Sequence, residues 1–319
     1  MRIGVMAAGA VGGYFGARLA AAGHDVIFFA RGANLEAIRK NGLIVESPLG
    51  NLHLASVSVT DDPGSVAPVD IVLFAVKLWD LESAAESLHP LMGPRTQVIT
   101  LQNGIDAVER IAPILGGDHV AGGTAQIVSV IAAPGVIKVS SKVAIIRCGR
   151  IDRHSDPTLL AFVEAGKKAG CDVSLSDDIE RDLWIKFVML AGTSGITAAT
   201  REPIGRVLAD PDTRALFLSL MQETVALARA KGVGLPEDFA HERLHFIETN
   251  FPFDMRASMA NDIERGNRLE LDWLAGRVVQ LGRALGVPTP ANAVVYAVLK
   301  LHRLGKLGKG VGERNADPR

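Results

Sequence analysis

Through the first half of the chain, short apolar runs alternate with stretches of helical period. "RIGVM" reads as a strand and Val11 to Ala22 as a helix; "DVIFFA" is a second strand, followed by a helix near Asn34 to Asn41. "GLIVES" and "LHLASVSV" flank "PLGN", whose proline and glycine mark a turn. "VDIVLFAV" and "QVITL" are apolar without alternation, and "HVAGG" reads as a further strand. Continuous runs of this length suit parallel strands buried on both faces. "GVIKVSS" and "VAIIRCG" read as further, antiparallel strands. Strand alternating with helix predicts an α/β domain with a doubly wound sheet.

Beyond Asp177 the period changes. Ile179, Leu183, Phe187 and Leu190 follow three- and four-residue spacing, and so do Leu271, Leu274, Val278, Leu281 and Leu285. The second of these helices stops at "LGVPTP", where Gly286, Pro288 and Pro290 are natural terminators. The pattern predicts a sheet domain over 1–175, an all-helical domain over 176–305, and a Gly- and charge-rich disordered tail over 306–319. There is no internal repeat of solenoid length.

Composition narrows the function classes. The chain's 319 residues are enough for two domains, and 48% of them are apolar, enough for a sizeable core. With 34 basic against 35 acidic residues, nothing points to nucleic acid or an anionic membrane. Cys148 and Cys171 are too few for a disulfide framework and fit a reducing, cytoplasmic compartment. No uninterrupted apolar run approaches the roughly 18 residues that span a bilayer. Arg2 and "RLAAAG" imitate a secretion signal, but Arg18 and the glycines at 4, 9, 12, 13 and 16 break its apolar region.

The N-terminal stretch instead fits a Rossmann-type turn. In "AAGAVG", Gly9 and Gly12 take the places of the glycines that admit a pyrophosphate and let helix and strand pack closely. Ala7 stands where the first glycine is expected, which an alanine tolerates at negative φ. Residues Ala7, Ala8, Gly9, Ala10, Val11 and Gly12 are thus the candidate cofactor loop, with free N–H groups at the helix start. A carboxylate for the ribose hydroxyl is expected at the end of the second strand, yet the sequence there reads "FFARGAN". Ala30 holds that place and Arg31 follows; an arginine there meets a 2′-phosphate, which predicts NADP over NAD. An ordinary surface arginine is the plainer alternative. Lys77 and Asn103 also fall at C-terminal strand ends, where ligands collect in such sheets, although a solvated lysine and a turn asparagine would look the same.

Taken with "ARG", "VKLWD", "LQNG", "LWIKF", "EPIG", "SMANDIERGNRLELDWLAGRVV" and "GVPTPAN", the N-terminal stretch resembles the ketopantoate (2-dehydropantoate) reductase family, in order from residue 1 to about 300. The resemblance implies a Rossmann domain followed by a helical domain, and NADPH-dependent reduction of a 2-oxo acid, foremost ketopantoate to pantoate in pantothenate biosynthesis. It implies catalytic roles for Lys186, Glu270 and Asn103, with Asn103 contacting nicotinamide and substrate, and substrate binding by Ser258 and Glu270. Arg31 and Lys77 match basic residues near the NADP phosphates. The family's asparagines at four and eight residues past the lysine are here Leu190 and Ser194. Ser194 stays a substrate-binding candidate, but the exchange removes amide hydrogen bonding and leaves a different 2-oxo acid open as substrate.

Side-chain chemistry agrees with these roles without requiring them. Hydride transfer to a ketone develops negative charge on oxygen, and a positioned acid must meet it. An ammonium in partly apolar surroundings, as Lys186 would be between Leu183 and Leu190, has a lowered pKa and can donate; a lysine snorkelling from an amphipathic helix is the common alternative. Glu270 would bond the substrate and orient Lys186, or merely complement a helix dipole, and Ser258 could cap the helix at "SMAND". Asp262 and Glu264 read as partners in salt links. "HERLH", with His241 and His245, matches a bare metalloprotease pattern and is read as chance, with no metal expected. The remaining alternative from another class is a catalytically silent NADP sensor, which would need neither Lys186 nor Glu270. No nucleic-acid or membrane partner is expected, and the sequence leaves a homodimer open.

Overall fold

The computed structural model describes residues 1–306. The expected tail, 306–319, lies outside the described residues from 307 onward. By packing, the chain divides into two compact units, Met1–Leu183 and Trp184–Arg319. The sequence pattern places the change at 175, the last residue of a strand.

The first unit runs β1 (Arg2–Met6), α1 (Ala10–Ala21), β2 (Asp25–Phe29), α2 (Gly32–Asn41), β3 (Leu43–Glu46), β4 (Leu52–Leu54), β5 (Ser58–Thr60), β6 (Ile71–Phe74) and α3 (Leu81–Glu86). It continues with β7 (Gln97–Thr100), α4 (Ala107–Leu115), β8 (Val120–Gln126), β9 (Ser129–Ala133), β10 (Val136–Val139), β11 (Ile145–Gly149), α5 (Pro157–Lys168) and β12 (Asp172–Leu175). Eight strands form one sheet in the order β12-β11-β8-β7-β6-β1-β2-β5. From β8 to β5 every pairing is parallel, and β11 joins β8 antiparallel.

The apolar runs are apolar because each parallel strand serves two cores. Ile3, Val5, Ile71, Leu73 and Ile99 face one side, with Tyr14, Phe15 and Leu19 of α1 and Phe162 of α5. Met6, Val72, Phe74 and Val98 face the other, with Leu81 and Ala84 of α3 and Ile111 of α4. Each fully buried side chain of this size contributes about 1.5–3 kcal/mol. This is the doubly wound sheet expected from the sequence.

The four remaining strands make a second sheet, β4-β3-β10-β9. β10, the expected "GVIKVSS" strand, pairs antiparallel with β9 and parallel with β3. β9 and β12 have no counterpart in the sequence reading. "LHLASVSV" divides: β4 pairs back on β3, while β5 leaves to edge the large sheet beside β2.

Helix α6 (Ile179–Thr200) carries the chain into the second unit, which continues through α7 (Ile204–Ala209), α8 (Pro211–Ala230), α9 (Phe239–Asn250), α10 (Ser258–Arg265), α11 (Ala275–Leu285) and α12 (Pro290–Lys300). Glycines bring α6 close to its neighbours. A Cβ at Gly192 would stand 2.9 Å from Met221 and Phe217 of α8, and one at Gly195 3.1 Å from Val295 of α12. By length and composition α6 could cross a membrane, the one such helix among the described residues, but 67% of its most apolar window is buried inside the protein, as in a core helix. The "GVPTPAN" segment is a helix start. Pro290 opens α12, and the Glu223 carboxylate of α8 accepts from the N–H groups of Ala291 (2.7 Å) and Asn292 (2.9 Å) and from Asn292 Nδ2 (2.7 Å).

Two helix starts differ from expectation. The run from Leu271 does not begin a helix at Glu270: Leu271–Trp273 form a 3-10 turn, and α11 opens at Ala275. Ser258 is the first residue of α10 rather than its cap; Ala257 occupies the cap position, and no side chain caps the helix.

Candidate active site

In the first unit, residues 7–12, Arg31, Lys77 and Asn103 follow β1, β2, β6 and β7, four adjacent parallel strands. All therefore sit at one edge of the sheet, where the strands' carboxyl ends gather ligands.

The loop after β1 leaves the N–H groups at the start of α1 without a side-chain cap. Ala8 N–H donates to Phe29 O at 2.7 Å and Gly9 N–H to Ala7 O at 2.8 Å, which fixes the turn. Ala7 does not hold a positive φ, so its methyl carries no left-handed strain. Gly9 precedes α1 without a side-chain cap, and no acidic residue stands in the first turn. The helix thus presents its first N–H groups and positive dipole end. The two glycines divide the work. A Cβ at Gly12 would lie 2.7 Å from Ala7 O and 3.0 Å from Val5, so glycine there lets α1 lie on β1. A Cβ at Gly9 would meet no protein atom within 4 Å, so packing does not demand glycine there. That free approach, beside open N–H groups, fits a dinucleotide pyrophosphate.

Arg31 ends the β2 segment, exposed, and its guanidinium pairs with no other described residue. Lys77 is exposed and stands over the Trp79 ring at 5.6 Å. Arg110 of α4 stiffens this segment: its Nη2 donates to Leu78 O at 2.9 Å, and its guanidinium takes both oxygens of Glu82, at 2.7 and 2.9 Å. That hydrogen-bonded pairing holds the Glu82 carboxyl below its ordinary pKa. Asn103 is half-buried after β7. Its neighbour Gln102 donates through Nε2 to Phe74 O at 2.8 Å and so ties the "LQNG" turn to the end of β6. Gln102 and Arg110, whose hydrogen bonds hold these segments, are absent from the sequence reading. Gln102 lies inside the quoted "LQNG", whereas nothing in the spacing of Arg110 betrays its reach.

In the second unit, Lys186 lies on α6 in partly buried surroundings. Loss of water around the ammonium pulls its pKa down to about 8, and the negative charge of Glu270 works the other way. Glu270 itself is only 8% exposed. The structure thus brings this predicted pair within electrostatic reach. Leu183, Met189 and Leu190 lie around Lys186 at helical spacing, so its face of α6 is largely apolar. Ser194, two turns on, is fully buried and its hydroxyl has no hydrogen-bond partner. Elsewhere on α6, Thr193, Thr197 and Thr200 each spend their hydroxyls on the carbonyl four residues back, at 2.7 Å. Ser258 is exposed at the start of α10. Glu264 pairs with Arg256 at 2.7 Å, while Asp262 accepts from Asn267 Nδ2 at 3.1 Å. His241 and His245 lie on α9; among the described residues no group of three or more His, Cys, Asp or Glu is placed to hold a metal ion. Burial pushes the thiols of Cys148 and Cys171 up to about 12 and about 11, so neither is a ready nucleophile.

Comparisons with known proteins place this architecture. The family model "Ketopantoate reductase PanE/ApbA" matches residues 3–152, and its C-terminal counterpart matches residues 178–303. A 2-dehydropantoate 2-reductase of Mesorhizobium japonicum is 32% identical, over 94% of this chain and 97% of its own. An uncharacterized oxidoreductase of Bacillus subtilis, YkpB, is 30% identical over 96% of this chain and all of its own (100%). A crystal structure of a PanE/ApbA family ketopantoate reductase from Ralstonia eutropha superposes with a TM-score of 0.85 at 33% identity, covering 95% of this chain and 98% of that one. The chain belongs to the ketopantoate reductase family, and with it to the NADPH-dependent oxidoreductases that act on 2-oxo acids.

Proposed function

We propose that the protein reduces ketopantoate to pantoate, with residues 1–175 holding NADPH and the helical residues 176–305 holding the 2-oxo acid. When bound, NADPH supplies the hydride. The protein's share is orientation and a proton. Ala7 to Gly12 receive the pyrophosphate on backbone N–H groups, Arg31 and Lys77 meet phosphate charge, and Asn103 orients the nicotinamide and the substrate carbonyl. Lys186 holds the proton on Nζ and passes it to the oxygen that becomes the new hydroxyl. Glu270 keeps that ammonium oriented and accepts a hydrogen bond from the substrate. Ser258 and Ser194 offer hydroxyls to the substrate's remaining oxygens. Two buried free thiols accord with a cytoplasmic setting.

The observation that carries this reading is the ammonium of Lys186, partly buried beside Glu270 with its pKa drawn down to about 8. A solvated surface lysine has no such surroundings, and a silent NADP-binding sensor has no use for a poised acid. The buried, unpartnered hydroxyl of Ser194 supports a polar contact from the substrate, since leaving it unmet costs about 1–3 kcal/mol. A second reading rests on Leu190: an apolar residue one turn from the lysine favours a 2-oxo acid without a 4-hydroxyl. Measured kcat/KM decides between them. The first reading expects ketopantoate to exceed 2-oxoisovalerate by tenfold or more, about 1.4 kcal/mol of transition-state binding. A reversed ratio establishes the second.

A further inference from the structure

Asn34 lies on the first turn of α2, three positions past Arg31. An asparagine at such a place ordinarily bonds to the backbone of its own turn. Asn34 reaches two distant segments instead. Its Nδ2 donates to Ala8 O at 3.0 Å, inside the loop after β1. Its Oδ1 accepts from Gly135 N–H at 2.8 Å, in the turn between β9 and β10. Both ends of one amide are thus committed to backbone groups that are remote in sequence.

Each of those groups is anchored in turn. Ala8 is held by its preceding peptide as well, its N–H donating to Phe29 O at the close of β2. Gly135 sits at φ +77, and its carbonyl accepts from Ile44 N–H at 2.9 Å, so the β9–β10 turn is fastened to β3. A Cβ at Gly135 would lie 3.4 Å from Ala37, so the turn runs close along α2. The loop before the uncapped start of α1, and the helix whose first residues follow the exposed Arg31, are therefore joined through one side chain. The second sheet supplies the fixed point.

We propose that Asn34 is a positioning residue for the cofactor. It holds the Ala7–Gly12 turn at a set spacing from the start of α2, so that pyrophosphate and 2′-phosphate are met together. This rests on the reading of that turn as the cofactor cradle. The signature differs from that of Arg31. The pyrophosphate turn serves NADPH and NADH alike, whereas the arginine serves only the 2′-phosphate.

The test is Kd for NADPH and for NADH, by cofactor fluorescence, in wild type, Asn34→Ala, Asn34→Asp, Arg31→Ala and Gly9→Val. Asn34→Ala is expected to raise both constants about tenfold, with the loss falling on cofactor Kd and KM rather than on kcat. Arg31→Ala raises the NADPH constant alone. Asn34→Asp keeps the acceptor for Gly135 N–H but sets a carboxylate oxygen against Ala8 O, so it binds no better than Asn34→Ala. Because it retains the anchor to the β9–β10 turn, it is the variant to read if Asn34→Ala fails to fold. Binding of both cofactors within about twofold of wild type in the folded Asn34 variants overturns the proposal. Gly9→Val separates this from the underlying reading: its Cβ meets no protein atom within 4 Å, yet it fills the approach to the turn. Unchanged binding in Gly9→Val overturns the cradle itself. Loss there, with none in the Asn34 variants, overturns only the role of Asn34.

Discussion

Lys186 shows how one side chain acquires a chemical task from its surroundings. Burial disfavours its charge, and Glu270 restores part of it, which leaves a pKa of about 8 and an acid that can give up its proton near neutrality. In the proposed reaction the protonated amine is the acid in the reductive direction. Reduction is therefore expected to fall as pH rises through about 8, and the reverse oxidation to rise in the same window. A pH profile of kcat that is flat from 6 to 10 contradicts this, those limits being set about two pH units either side of that value. Lys186→Ala should lose about 10²–10⁴-fold in kcat while NADPH binding persists. Arg31 has a different signature. Its exposed guanidinium pairs with no other described residue, so Arg31→Ala should leave stability unchanged and weaken NADPH selectively, checked by comparing Kd for NADPH and NADH.

Among the elements, legibility followed burial. β1, β6 and β7 read clearly because strands covered on both faces carry consecutive apolar residues, as in Ile71–Phe74 and at Val98 and Ile99. β9 did not read. It is an edge strand of the second sheet, and Val130 and Ile131 on it are exposed, so its apolar residues report no core. The pairing of β10 with β3 joins segments far apart in sequence, which no local periodicity encodes. Glu270 was placed at a helix start by the spacing of its leucines, yet the chain turns through Leu271–Trp273 before α11 begins. The lysine and glutamate were found as residues, but their proximity comes only from how α6 and that turn pack. "GVPTPAN" shows the reverse: a specific motif whose visible work is structural. Glu223 accepts three hydrogen bonds at the head of α12, where Asn292 is wholly buried. Glu223→Ala should destabilise the protein by about 1–3 kcal/mol, seen as a lowered urea midpoint, with the cofactor's Kd unaffected. An unchanged midpoint counts against that role.

Across the whole molecule, the proposed function splits labour between a sheet whose strand ends would gather phosphate-binding groups and a helical unit that would carry the acid. Neither half explains the other's residues. In the proposed reading, a cofactor cradle with Arg31 beside it binds NADPH, and binding alone needs no partly buried lysine. In the same reading, Lys186 beside Glu270 transfers a proton, and that transfer needs a hydride partner. The family match spans both halves, and their chemistry is complementary. The most direct measurement is NADPH oxidation by the purified protein against a panel of small 2-oxo acids, with the product identified. The account predicts that NADPH is consumed one for one with formation of the 2-hydroxy acid. Tight NADPH binding with no oxidation by any member of the panel, ketopantoate included, contradicts it.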